Sequence, residues 1–308
     1  MASTNPNVSG LAQYVATNER ELLYKAATGA NTLRHIRIQP GIWGKGAINV
    51  ATPTINFNGT PCGFNPTTAT AITQRDIETS LLIVQQTFCD DMVRNTYLEE
   101  LFNRNGHITD AEFFEKFWGA TTAALGRRLD HDIWRGVNTF HGFVILINDQ
   151  AFTPVNPNMP LNVITSTPQD VFNALQATIG LMTPEIILNG DGRLFVAEPI
   201  FSKLLIAINT ILGYPIEVPS DAAEGIKFPG TNLLVVPTSG LNSTGETYAI
   251  GGDKNNFVFG TGFDTDRPEE RFVVVYDEAE QVWKMTIKFT AGVNFVDPTA
   301  VYANVPIY

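Results

Sequence analysis

Charge is the scarce commodity in this chain. Only 17% of its 308 residues are Asp, Glu, Lys or Arg, against about 25% in a typical soluble domain. Lys and Arg together number 20 against 31 acidic residues, a net charge of −11. That balance excludes a protein that grips nucleic acid by neutralising phosphates, which takes clustered Lys and Arg. The densest basic pair is Arg127-Arg128. Cysteine is almost missing. Cys62 and Cys89 are the two, too few for a disulfide framework or a CxxC ligand pair, and both are expected to be reduced thiols. No apolar run reaches the ~18 residues that span a bilayer. The opening MASTNPNVSG has neither the basic n-region nor the apolar core of a signal peptide. A soluble protein made in the cytoplasm, with no membrane partner, is expected.

Catalytic signatures are missing too. There is no HExxH, no P-loop, no GxSxG, and no GxGxxG between a strand and a helix. The sharpest cluster is Asp130-His131-Asp132 within RLDHD, the residues a hydrolase on this chain would use. Helical neighbours one and two positions apart diverge, so the three cannot converge on one metal or substrate. The expectation is a solvated helix end whose ion pairs are worth ~0–1 kcal/mol. Asn189-Gly190-Asp191-Gly192 opens like a calcium loop but lacks the acid at the twelfth position, so it reads as a turn. Phosphate at Gly260-Thr261-Gly262 would meet the acidic FDTD that follows. Cys89 precedes Asp90 and Asp91, which disfavour its thiolate. No catalytic, cofactor or metal site is expected, and the chain does not read as an enzyme.

Apolar residues, at 44% with 20 phenylalanines, imply a large core and uncharged surface covered by another chain. From Gly41 to Gln74 the sole charge is Lys45, in a stretch whose Gly, Pro, Asn and Thr forbid a helix. Alternation in Ala47–Val50 and Thr54–Phe57, with a turn near Asn58-Gly59, predicts a long irregular hairpin. Arms of about 15 residues would extend on the order of 50 Å, beyond a body whose radius of gyration is about 19 Å.

A short helix is expected over Glu19–Thr28, a strand over Asp76–Phe88 and a helical stretch over Asp91–Phe102. Thr109-Asp110-Ala111-Glu112 is a capping box opening a helix from Asp110 to Trp134. Its stripe is Phe114, Phe117, Trp118, Thr121, Leu125, Leu129 and Ile133, a structural beam. Alternating α and β follows: helices from Thr167-Pro168 and Glu198-Pro199, and strands at Arg193–Val196, Leu233–Val236 and Asn256–Gly260. A hairpin pairs Glu270–Tyr276 with Val282–Phe289. Ala291-Gly292-Val293 is expected to interrupt it, and Asp297-Pro298 to force a corner before Ala300-Val301-Tyr302.

This order resembles the major capsid protein of tailed bacteriophages, of the Hong Kong 97 type. The nearest textual likenesses are RLFVAEPIFSKLL, TNLLVVPTSGL, NNFVFGTGFDTD and FTAGVNFVDPTAV. The resemblance implies an α+β fold with an N-terminal arm (1–40), an extended loop hairpin (41–75) and a peripheral domain (76–136) containing a spine helix (about 110–136). An axial domain (137–265) and closing strands that return to it (266–308) complete the plan. It implies inter-subunit contacts by Trp43, Lys45, Ile48, Val50, Ile55, Phe57 and Phe64 of the loop. The spine core would be Phe114, Phe117, Trp118, Leu125 and Leu129. Partners would be further copies in hexamers and pentamers, a separate scaffolding protein and portal, and packaged double-stranded DNA enclosed without sequence-specific binding. Location would be the virion. An encapsulin-like compartment shell and a phage tail or adhesin module are the other structural readings, and the hydrolase the enzymatic one.

Overall fold

The computed structural model describes residues 29–53, 70–89, 110–137, 140–148, 167–213, 224–242, 249–262, 271–277, 279–280 and 282–304. The stretches Glu19–Thr28 and Asp91–Phe102, Thr109, Cys62 and the hairpin tip near Asn58 lie outside them.

A short 3-10 turn at Asn31–Arg34 leads into β1 (Arg37–Gln39). Next come β2 (Lys45–Pro53) and β3 (Thr70–Glu78), paired antiparallel over their full 9 residues. The strand expected over Asp76–Phe88 is in fact two, because the chain breaks at Thr79 and enters β4 (Ser80–Cys89). Thr79 is clamped there. Its N–H donates to Gly44 O (2.7 Å) and its hydroxyl donates to Ile42 O (3.1 Å) while accepting from Gly44 N (3.0 Å). Gly44 holds φ +71°, a conformation that disfavours a side chain.

Helix α1 runs Asp110–Arg135, within one residue of the sequence expectation, and Gly136 at φ +78° ends it. Trp118, Leu125, Leu129, Ile133 and Trp134 are buried along it. Phe114 and Phe117 lie on the same helix, with side chains outside the described set. Helix α2 (Phe143–Asn148) doubles back, and the approach is tight, since a Cβ on Gly142 would lie 2.3 Å from Gly136 N.

Helix α3 (Pro168–Gly180) is capped by Thr167, and α4 (Pro184–Leu188) is short. β5 (Gly192–Ala197) passes directly into α5 (Glu198–Leu212), which ends on the left-handed Gly213. β6 (Ile226–Lys227), β7 (Leu234–Thr238) and β8 (Ala249–Asp253) join β5 in one sheet. Helix α3 buries Val171, Leu175 and Ile179, and α5 buries Phe201, Leu204 and Ile208, with Leu205 half-buried beside them.

β9 (Phe257–Gly260), β10 (Arg271–Asp277) and β11 (Val282–Phe295) follow. The expected interruption at Ala291-Gly292-Val293 does not end β11; it marks a change of partner. Through Ala291 the strand pairs with β4, and from Gly292 it pairs with β9. A Cβ on Gly292 would sit 2.1 Å from Glu78 O, so only glycine lets the β3–β4 crossing pass that close. The corner at Asp297-Pro298 is present, with the Asp297 side chain accepting from Thr299 N. It sends β12 (Tyr302–Asn304) to pair with β8.

Among the described residues two five-stranded sheets result. One contains β1, β9, β11 and β10 with β4 also on β11, the other runs β12-β8-β5-β7-β6, and β2-β3 stands apart. The sheets meet α1 at an aromatic cluster. Trp134 lies 5.4 Å from Phe143 and 5.0 Å from Phe195, and Phe257 lies 5.3 Å from Phe195 and 5.5 Å from Phe295. These rings come from α1, α2, β5, β9 and β11. Each such pair adds about 0.5–1.5 kcal/mol beyond its buried area, so the cluster fastens both sheets to one helix.

Candidate assembly surfaces

The hairpin base is anchored from inside. Ile48 and Ile77 pack with Ile42 and Val258 in a small buried cluster. Ile48 is 1% exposed, so its expected role in contacting a neighbour is corrected: it holds the hairpin to its own subunit. Trp43 is half-buried. Lys45 is exposed and pairs with Glu78 across the ladder at 2.5 Å. That contact raises the lysine pKa and lowers the carboxylate's. The Val50 side chain, Ile55, Phe57 and Phe64 lie outside the described set.

Asp130 overturns the expectation of a solvated, mixed-charge helix end. It is 1% exposed. Its Oδ1 accepts from Thr32 N (3.0 Å), and its Oδ2 accepts from Thr238 Oγ1 (2.7 Å), Ser239 Oγ (2.9 Å) and Gly240 N (3.0 Å). The Thr238 proton is thus committed to the carboxylate. In the Thr32–Thr238 hydroxyl contact (3.1 Å), Thr32 must therefore be the donor. Thr32 Oγ1 in turn accepts from Trp134 Nε1 (2.8 Å). The result is a directed relay from Trp134 through Thr32 and Thr238 to Asp130, with every proton assigned. Gly240 makes this possible, because a Cβ there would lie 2.2 Å from Asp130 O.

The expected divergence of the trio holds for Asp130 but not for His131 and Asp132, which meet although they are one position apart. His131 Nδ1 and Arg128 Nε both contact Asp132, each at 3.1 Å. Among the described residues no hydrogen bond joins Asp130 to His131, so the three side chains do not converge on one point. Among the described residues no His, Cys, Asp or Glu group is placed to hold a metal. At Asn189–Gly192 a turn is found as expected, with Gly190 at φ +77° and Asp191 paired with Lys254 at 2.6 Å, which lowers the Asp191 pKa.

The outer face of β4-β11-β10 is the other surface. Rows across it read Ile83–Lys288–Arg271, Gln85–Thr286–Val273 and Thr87–Lys284–Val275. Leu81, Ile83, Val273 and Val275 are all exposed large apolar residues, Ile83 at 51% and Val275 at 54%. Lys284 is held by Asp277 (2.7 Å) and Glu280 (2.8 Å). Those hydrogen bonds raise its pKa to about 12 and lower that of Asp277. Sequence reading missed this surface, although the alternation Leu81, Ile83 against Leu82, Val84 signals an apolar pair on each face.

A chain of the satellite phage P4 procapsid structure superposes over 98% of this chain and 91% of its own length, with TM-score 0.54 and 12% identity. A chain of the capsid of the native GTA particle covers 90% of this chain and 88% of its own, at TM-score 0.51 and 11% identity. The fold is that of phage capsid proteins. A Microbacterium phage Oxtober96 chain agrees at TM-score 0.53 and 14% identity, covering 90% of each. No family model matches the sequence, and no curated protein does. The capsid fold thus persists here at identities where residue-by-residue likeness is lost. No helix among the described residues is long and apolar enough to cross a membrane.

Proposed function

We propose that this chain is the major capsid protein of a tailed double-stranded DNA bacteriophage, built on the Hong Kong 97-type plan and self-assembling into the hexamers and pentamers of an icosahedral head. The observation that carries the reading is the near end-to-end likeness to the P4 procapsid chain, over 98% of this one. Residues 41–75 are the extended loop, α1 the spine, β4, β10 and β11 the peripheral sheet, and 137–265 the axial domain around a capsomer's axis. Trp43, Lys45, Val50, Ile55, Phe57 and Phe64 contact neighbours. The role is structural, with no catalytic step.

Low charge suits extensive burial between copies, because obligate interfaces reach about 2,000–5,000 Å² and are mostly apolar. The net charge of −11 keeps the shell wall from adhering to packaged DNA. It also makes assembly salt-sensitive, since like-charged subunits repel within a screening length of ~8 Å at physiological ionic strength. A separate scaffolding protein and a portal complete the assembly in the host cytoplasm, and the virion is its destination. Negative-stain electron microscopy of the protein expressed alone, at two salt concentrations with light scattering beside it, tests this. Closed shells or rings of five and six are expected, and tubes or discrete trimers would overturn it. Nuclease-protected DNA inside particles purified from the phage separates a genome container from a compartment with protein cargo.

A further inference from the structure

Three segments far apart in sequence meet on the Asp130 carboxyl. The entry turn Asn31–Arg34 brings Thr32, α1 brings Asp130 and Trp134, and the end of β7 brings Thr238, Ser239 and Gly240. They are held close. A Cβ on Gly126 would lie 2.5 Å from Gly29 O, and Asn31 Nδ2 donates to Pro237 O at 3.0 Å. The groups that donate to Asp130 are all uncharged. The charged groups around it are Arg127 on α1 and Glu198 on α5, which line one cleft with it, and Arg34 at the close of the entry turn. Arg128, His131 and Asp132 make their own contacts on α1, and the end of β7 brings no charge.

The polarity of this network is set at the end away from Asp130. An indole nitrogen only donates, and a hydroxyl has one proton to give. Because Trp134 Nε1 donates to Thr32, the Thr32 proton goes to Thr238 and the Thr238 proton to Asp130. An ionised carboxylate suits this arrangement, since it only accepts. The acid form does not. Its proton would crowd an Oδ2 that already takes three hydrogen bonds. Ser239 can turn its hydroxyl toward the cleft, but the Gly240 N–H stays aimed at Oδ2. Thr238 could accept the acid proton only by returning its own to Thr32, whose proton would then face the indole N–H. The site fits one charge state of Asp130 and frustrates the other.

We propose that Asp130 is an acid-sensitive latch. Ionised, it ties the entry turn and the end of β7 to α1; protonated, it releases both while the sheets stay folded. The release is local because the rings that fasten the sheets to α1, Trp134, Phe143, Phe195, Phe257 and Phe295, include no titratable group. The device belongs to the single subunit, so it goes beyond the shell reading and does not depend on it.

Hydrogen exchange of the full chain by mass spectrometry, from about pH 7 to about pH 3.5 and corrected for intrinsic rates, tests the latch. Peptides carrying Thr32 and Gly240 should lose protection by at least about tenfold in acid, while those of β5 and β9 keep theirs. Loss only together with β5 and β9 would be global acid unfolding and would overturn the proposal. Asp130→Asn should show the released state already at neutral pH, with no further change in acid; a response like the wild type's would overturn the assignment. Glu198→Gln and Asp132→Asn should respond as the wild type does, and loss of the response in either would move the sensor away from Asp130. If Asp130→Asn does not fold, Thr32→Val decides. It keeps the shape and the Thr32 N–H bond but cuts the relay between indole and carboxyl, so Thr238 is free to take the acid proton. The acid-induced loss at Gly240 should then shrink to under about threefold. An undiminished loss in Thr32→Val would overturn the latch.

Discussion

The junction at Asp130 and the edge at β4 are opposites within one subunit. At the junction an acidic side chain is buried to 1% exposure, yet four donors satisfy it and each hydroxyl proton has a defined destination. Along β4 there is no charge, none of Leu81–Thr87 is buried, and among the described residues β11 is its strand partner. The polar region is closed, and the apolar region is unfinished. Charge is therefore a poor guide to where this molecule meets others. Among the described residues, the exposed apolar side chains of β4 and β10 are where packing capacity is left on the surface.

The largest effect should come from breaking the unfinished side. Deleting Val50 to Asn65 removes the hairpin's far part without touching the Ile42–Ile48–Ile77–Val258 cluster at its base. The variant should remain a folded subunit, with a melting temperature near that of the wild type, and should form no closed shells by microscopy. Wild-type shells from the deletion would remove the hairpin from assembly.

Breaking the closed side should do the reverse. Asp130→Ala leaves the Thr32 N–H buried without an acceptor and the Gly240 N–H with only its longer bond to Thr238 Oγ1 (3.3 Å), and it frees the Thr238 and Ser239 hydroxyls. Unsatisfied buried donors of this kind amount to about 3–5 kcal/mol together, measured by denaturant unfolding of the unassembled subunit. A change under about 1 kcal/mol would show that Asp130 is less dependent on these donors than its burial implies. The relay sharpens the same contrast at smaller scale. Thr238→Val keeps the shape but removes the proton given to Asp130 and the acceptor used by Thr32. A loss of about 1–3 kcal/mol is expected, and it should be strongly non-additive with Asp130→Ala, because both act in one network.

These two regions were unequally legible. Helix α1 could be placed within a residue because its signals are local: a capping box, a 3.6-residue stripe and a closing glycine. The same locality failed at Asp130, where the decisive donors lie at Thr32 and at Thr238–Gly240, so RLDHD looked like a solvated helix end. Gly292 failed for a related reason. Its small size reads as an interruption, yet it exists to pass under Glu78 O, a neighbour far away in sequence. Alternation identified β11 as a strand but says nothing of how many partners a strand has. The resemblance assigns Ile48 to an outward contact, and alternation cannot correct it, because it gives the period of a strand and not which face turns to its own core.

The smallest effects belong to exposed ion pairs, Lys45–Glu78 and Lys284–Asp277, which look prominent on a map of charges. Their signs can still be read. Glu78 and Asp277 have lowered pKa values in the folded chain, so their stabilisation is complete above the usual 4.5 and 3.8 and fades as pH falls through the lowered values. Lys45 and Lys284 have raised values, so theirs is complete below the usual 10.5 and fades as pH climbs, through about 12 for Lys284. Across neutral pH the pairs contribute a flat, salt-screened amount. Lys284→Met should therefore shift the melting temperature less than Thr238→Val at pH 7. It should also soften the acid limb of the stability profile, because Asp277 loses the cation that lowers its pKa. An unchanged acid limb would mean that the pair is open in solution. A shift larger than that of Thr238→Val would reverse the ranking of buried network over surface charge on which the contrast between the two regions stands.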